Sequence, residues 1–257
     1  MHSAARPFPC PPSPRRELHG PGGLPDAGSP LWLASAARRW HTEPDEHAVA
    51  RSVTRSVAAL LPAGAEASVT LLGPDHRPLP AVDPAAPAAW LDAVQLQAGE
   101  GPLPEALAGR TAAGDDLLTA PWPRFRPAAL DRGIRSAVCL PLESGTRVLG
   151  ALAVYAPQPA DWSGAGTQLL EPVAVHAALA LAAVQRAVHL DRALESRDVI
   201  GQAKGVLMER YRITADTAFG ILARASQDTN RRLREVAALV TETGEAPRPR
   251  GGAGTAG

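Results

Sequence analysis

The chain has 257 residues, 45% of them hydrophobic and 4% aromatic, and its 26 basic side chains balance 26 acidic ones. This length allows one or two domains, with cores built mainly from Leu, Val and Ala. Zero net charge excludes a global field for a polyanion, and two cysteines, Cys10 and Cys139, exclude a disulfide framework or a zinc spacing.

In chain order, residues 1–40 are set apart as a Pro/Gly-rich N-terminal extension expected to be disordered, densest in PFPCPPSPRR and HGPGGLPDAGSP. They hold no apolar run of the signal-peptide kind, and no uncharged stretch of about 18 apolar residues follows, so a cytoplasmic chain with no membrane association is expected. Residues 41–185 form the first block. Val49, Val53, Val57, Leu60 and Leu61 recur at helical spacing, and Pro62-Ala63-Gly64 stops that helix. SVTLL (68–72) reads as a strand, followed by a Gly73-Pro74-Asp75 turn. A Pro/Ala-rich connection leads to short helices near 103–108 and 123–132. RSAVCLPL (135–142) and RVLGALAVYA (147–156) read as a hairpin closed at Glu143-Ser144-Gly145-Thr146. The elements do not alternate strictly, which favours α+β over a doubly wound sheet.

A long helix is expected from about Ser163 to Ser196, with Leu170, Ala177, Leu181, Val184 and Val188 on one stripe that drifts to Leu190 and Leu194. Its first half covers the sheet; residues 186–196 form a stem able to pair with a second copy as an interrupted coiled coil. Residues 197–243 are expected to form three short helices, over about 197–211, 215–225 and 229–242. A disordered tail, 244–257, follows.

Phosphate cradles, nucleophile elbows, zinc-protease helices and calcium loops have no match in the sequence, and nothing in it argues for an enzyme. His176 reads as a packing or interface residue on the long helix. Asp115, Asp116 and Asp131 read as solvated or capping acids.

The run IGQAKGVLM (200–208) is the most informative stretch. Lys204 is the only lysine among the 26 basic residues. Gly201 and Gly205 sit four apart in a helix, at about 1 kcal/mol each relative to alanine. On a helical wheel Lys204 stands at the border of the apolar arc, beside a strip without Cβ bulk. That strip admits either a neighbouring helix or a nucleic-acid loop. Residues 197–235 hold eight basic and five acidic side chains. Asn230, Arg231 and Arg234 are expected on one exposed side of the third helix, the first two in its first turn, where an anion is favoured.

The segment SRDVIGQAKGVLMERYRITADTAFGILARASQDTNRRLREVAALV (196–240) closely resembles the ANTAR domain, through QAKGVLM, TADTAFGILARAS and NRRLREVA. The resemblance implies a three-helix module on a coiled-coil stem that binds paired RNA hairpin loops and promotes transcription antitermination. It implies RNA contacts at Lys204, Gly205, Ser226, Asn230, Arg231 and Arg234. Phe219 is read as core, which leaves little aromatic surface for base stacking. AGEGPLPEAL (98–107), APWPRFRPAALDRGIRSAVCLPL (120–142) and RVLGALAVY (147–155) resemble a GAF domain, a sensor fold with an antiparallel sheet. Leu103 stands where related sequences carry a cysteine, and Cys139 reads as a buried apolar residue.

The expected architecture is therefore a GAF-type antiparallel sheet with flanking helices, a helical stem and an all-α ANTAR bundle. The expected partners are RNA hairpins, a second copy through the stem and a small-molecule effector of unassigned chemistry, with no metal or other cofactor. Two alternatives stay open: a DNA-binding helical regulator, and a GAF-based interaction module without RNA binding.

Overall fold

The computed structural model describes residues 29–81, 86–162 and 165–245. Helix α1 spans Pro30–Trp40, with the Ser29 hydroxyl accepting the Trp32 N–H at 3.2 Å and Pro30 at the first helical position. Helix α2, Glu46–Ala58, is capped by Asp45, whose carboxylate accepts the Ala48 N–H at 2.7 Å. The five strands are β1 (Glu66–Leu72), β2 (Pro78–Pro80), β3 (Ala112–Gly114), β4 (Ser136–Ser144) and β5 (Arg147–Ala156). They form an antiparallel sheet in the order β2-β1-β5-β4-β3. A two-residue turn, Gly145-Thr146, joins β4 to β5, and Ser144 pairs with Arg147.

The period-2 geometry of strands splits the core in two. Val138, Leu140, Leu152 and Val154 face α1, α2 and the long helix α7 (Leu170–Tyr211). Ala137, Cys139, Ala151, Ala153 and Tyr155 face the other way, toward α3 (Pro87–Ala98), α4 (Pro102–Leu107) and α5 (Phe125–Asp131). The fold is thus the expected α+β one, three layers with the sheet in the middle. A single-turn helix, α6 (Ala165–Gln168), precedes α7.

Helix α7 has 42 residues, about 63 Å at 1.5 Å per residue. Its first part buries Leu170, Ala177, Leu181 and Val184 against the sheet, and Val188 packs at the margin. One window of α7 is long and apolar enough to cross a membrane, and 44% of it is buried. The last part of α7 packs with α8 (Ala215–Thr229) and α9 (Leu233–Thr243) around Ala203, Leu207, Ala218, Leu222, Val236, Ala237 and Val240.

Several expectations are corrected. The extension drawn through residue 40 contains α1, whose Trp32, Ala36 and Trp40 are buried; Trp40 donates its indole N–H to Ser56 at 3.3 Å. The two tryptophans give this segment a core to join despite its proline-rich neighbours. Residues 1–28 and 246–257, with Cys10 and most of the expected tail, lie outside the described residues; Gly244 and Glu245 are ordered against Arg210. The Pro/Ala-rich connection holds α3, because Pro87 occupies the first helical position, where its missing N–H costs nothing. The break placed between the stem and the first output helix does not exist. Nothing in LESRDVI stops a helix, so stem and output share α7.

Candidate nucleic-acid interface

Lys204 lies on α7, half-buried, at an open concavity of about 810 Å³ between α7 and α8. Arg197, Asp198, Ile200, Gly201 and Gln202 line it from α7, so one carboxylate stands beside its two cations, and Phe219 lines it from α8. Among the described residues the Lys204 ammonium has no hydrogen bond or ion pair. Phe219 is 44% exposed, which corrects its assignment to the core. Ala218, Leu222 and Ala225 supply the α8 stripe that packs inward, at i, i+4 and i+7, and Phe219 stands about 100° away from Ala218. Tyr211, the module's other aromatic, is 49% exposed.

The glycines answer the question their spacing raised. A Cβ built on Gly201, Gly205 or Gly220 meets nothing within 4 Å. No described helix uses the bare strip, so packing among the described residues does not account for the loss of helix propensity. Gly201 lines the concavity; Gly205 lies 100° further round the helix from Lys204 and does not line it.

The remaining predicted residues fall elsewhere. Ser226, Asn230 and Arg231 belong to the α8–α9 connection. The first turn of α9 is Leu233–Glu235, so Asn230 and Arg231 do not occupy it. Helix α8 runs to Thr229, whose hydroxyl donates to the Ala225 carbonyl at 2.6 Å, and Asn230 ends it with φ 51°, a left-handed conformation that asparagine tolerates. The Ser226 hydroxyl donates to the Arg231 carbonyl at 2.6 Å, and the Arg231 N–H donates to the Ser226 carbonyl at 3.2 Å. Ser226 thereby shapes the turn that presents Asn230 and Arg231. Arg234 lines a separate groove between α7 and α9, with Glu195, Ser196 and Val199.

The charge of the output bundle is unevenly neutralised. Arg210 pairs with Glu245 at 3.1 Å and Arg212 with Glu209 at 3.2 Å. Arg197, Lys204, Arg224, Arg231, Arg232 and Arg234 have no ion pair among the described residues. The local excess of positive charge is therefore free to meet an anion, and its energy is salt-dependent because these groups are near water.

In the sensor half, Leu91, Leu103, Phe125 and Tyr155 fill the space between the sheet and α3, α4 and α5. One carboxylate, Asp92, is buried there. It accepts the Tyr155 O–H and, at 3.1 Å, the Thr70 hydroxyl; Gln95 donates to the Tyr155 oxygen at 2.6 Å and accepts the Leu103 N–H at 2.8 Å. Burial pushes the Asp92 carboxyl above its ordinary range, opposed by these hydrogen bonds. Burial likewise pushes the Cys139 thiol well above its usual value, which keeps it protonated and inert. Leu103, at the position of the motif cysteine, is fully buried. No group of His, Cys, Asp and Glu among the described residues is placed to hold a metal ion.

The ANTAR domain family matches residues 188–240 and the GAF domain family matches residues 43–182. No curated protein is similar to the chain. Among solved structures, a domain of a putative two-component sensor histidine kinase from Sinorhizobium meliloti is similar at 16% identity, covering 56% of this chain and 94% of that one, with TM-score 0.45. The GAF domain of an Acinetobacter phosphoenolpyruvate-protein phosphotransferase is similar at 16% identity over 62% and 94% of the two chains, with TM-score 0.44. The GAF domain of the potassium sensor histidine kinase KdpD from Escherichia coli is similar at 19% identity over 63% and 96%, with TM-score 0.39. The GAF match alone spans more than half of the 257 residues, and with the ANTAR match directly after it on the same long helix, the chain belongs to the GAF domain family as a GAF–ANTAR regulator.

Proposed function

We propose that this protein is an RNA-binding transcription antitermination regulator, in which the GAF domain receives a small-molecule effector and the ANTAR bundle binds paired RNA hairpin loops. The observation that carries this reading is the α7–α8 concavity. It joins an unpaired Lys204, an exposed Phe219 and a glycine that leaves open space beside them. Unstacked loop bases suit such a surface: lysine meets phosphate, the ring offers a stacking platform, and glycine lets a backbone come close. The α8–α9 turn supplies Asn230 and Arg231 as further donors.

The protein acts as a homodimer in this reading. Leu190 and Leu194 are 66% and 59% exposed on the stem, and Val175 and Leu179 extend the same side of α7 toward the sensor. At 100° per residue the four fall within about 100° of arc, the width of a helix-pairing stripe. Two stems joined there hold two ANTAR bundles for two hairpins. Crosslinking through cysteines placed at 190 or 194 should trap a symmetric pair; a monomer at all concentrations contradicts the dimer.

The test of the RNA reading is a binding comparison between a two-hairpin RNA and a DNA duplex of equal length. Lys204→Ala should weaken the RNA complex by about 1–3 kcal/mol, the cost of a charge-assisted contact left unmade. Preference for the duplex would favour a DNA-binding regulator. Equal, weak binding to both, untouched by Lys204→Ala, would favour an interaction module without RNA binding.

A further inference from the structure

A second cleft, of about 230 Å³, lies where α7 leaves the sensor domain. One wall is sheet: Arg147 opens β5, and Leu79 lies on β2. The other wall is the α7 face formed by Gln185, Val188, His189 and Arg192, spaced i, i+3, i+4 and i+7, so all four point one way. Arg147, His189 and Arg192 thus converge on one space from two elements. Among the described residues none of the three side chains has a hydrogen bond or an ion pair. The one acidic lining residue, Glu46 at the start of α2, closes no ion pair with them.

Two guanidinium forks and an imidazole around a small, partly apolar space form a receptor for an oxyanion. Arginine donates in a fixed planar geometry that fits carboxylate and phosphate in pairs of hydrogen bonds. The volume limits the guest: about 230 Å³ lies below the roughly 300–1,000 Å³ of pockets for drug-sized ligands. Leu79 and Val188 favour a short carbon body over a bare ion. We infer that this cleft binds a small organic dianion, a phosphomonoester or a dicarboxylate, between Arg147 on the sheet and Arg192 on α7.

The position gives binding a consequence. Val188 is the last α7 side chain packed on the sensor core, and every residue from His189 to Glu195 is exposed. An anion held by both arginines fastens another turn of the helix to the sheet. It thereby sets the point from which the stem projects. The site stands whether or not the output binds RNA, because none of its residues belongs to the α7–α8 concavity.

The test uses the full chain and three probes, glycerol phosphate, succinate and inorganic phosphate, each against sodium chloride at equal ionic strength. Amide hydrogen exchange is read over residues 186–196. At a probe concentration about ten times Kd, exchange there should slow about tenfold, because opening releases the anion. Arg147→Gln and Arg192→Gln should abolish the slowing. Glu46→Gln should tighten binding, since it removes the competing carboxylate. Arg186→Gln, on α7 but outside the cleft, should respond as wild type. Slowing by glycerol phosphate alone assigns a phosphoryl guest, and slowing by succinate alone a dicarboxylate. The inference is overturned if no probe slows exchange, or if the arginine variants respond as wild type. It is also overturned if those variants change only the oligomeric state in sedimentation, which would make a second copy's acid the occupant.

Discussion

The two ends of α7 sit in different surroundings, and their glycines record the difference. In the sensor half, Gly150 on β5 is required by the fold: a Cβ there would collide with the Thr70 carbonyl of β1. In the output half, Gly201 and Gly205 on α7 and Gly220 on α8 face open space. The sensor half also buries most of its described aromatics, Trp40, Phe125 and Tyr155 among them, whereas the output half exposes Tyr211 and Phe219. One half is arranged for its own packing. The other lowers its helical stability without an internal return, which is the mark of a surface shaped for something outside the chain.

That contrast can be broken by substitutions at each end. The largest effect belongs to Leu152→Ala, which empties a fully buried position on β5 and should cost about 2–5 kcal/mol in urea unfolding. Gly150→Ala, a change of one methyl, should still cost about 1–3 kcal/mol, because backbone must move to admit it. Asp92→Asn should alter the pH dependence of stability. With its pKa raised by burial, Asp92 keeps a proton in the folded state at pH values where the unfolded chain has released it, above about 3.9. In that window the folded state binds more protons, so this group's contribution to stability falls as pH rises. The asparagine variant lacks that falling contribution, and wild type minus variant urea midpoints from pH 4 to 7 should show it as a decline. The smallest effect has the opposite sign: Gly220→Ala should stabilise by about 0.5–1 kcal/mol, since the methyl meets nothing and the helix gains propensity. A loss of stability there would mean the open space is used within the chain.

Much of this was legible in the sequence, for physical reasons that also explain the gaps. The β4–β5 hairpin was readable because β-branched and leucine-rich runs flank a Gly-containing turn, and α2 because Val49, Val53 and Val57 keep one face. Strands β2 and β3 were not, being three residues each and carrying prolines or alanines with little pattern. Helix α1 was hidden by the prolines before it, although Trp32, Ala36 and Trp40 hold a helical spacing. At the candidate interface, Lys204 and the glycine strip were visible from composition and the wheel. Phe219 was not, because an aromatic one residue from Ala218 and three from Leu222 fits either side of a core stripe. The α8–α9 turn was misplaced because Asp228 and Thr229 read as helix caps, whereas α8 continues to Thr229 and the left-handed Asn230 and the Ser226–Arg231 hydrogen bonds form the turn, which no local pattern announces.

In the function proposed above, the bare strip beside Lys204 is kept open for RNA. It is tested most directly by measuring both thermal stability and RNA affinity for Gly201→Ala/Gly205→Ala in the full chain, with RNA recovered from it by crosslinking in cells. The variant should melt higher and bind that RNA at least about tenfold more weakly, a loss of about 1.4 kcal/mol. A variant that melts higher and binds the same RNA unchanged would contradict it.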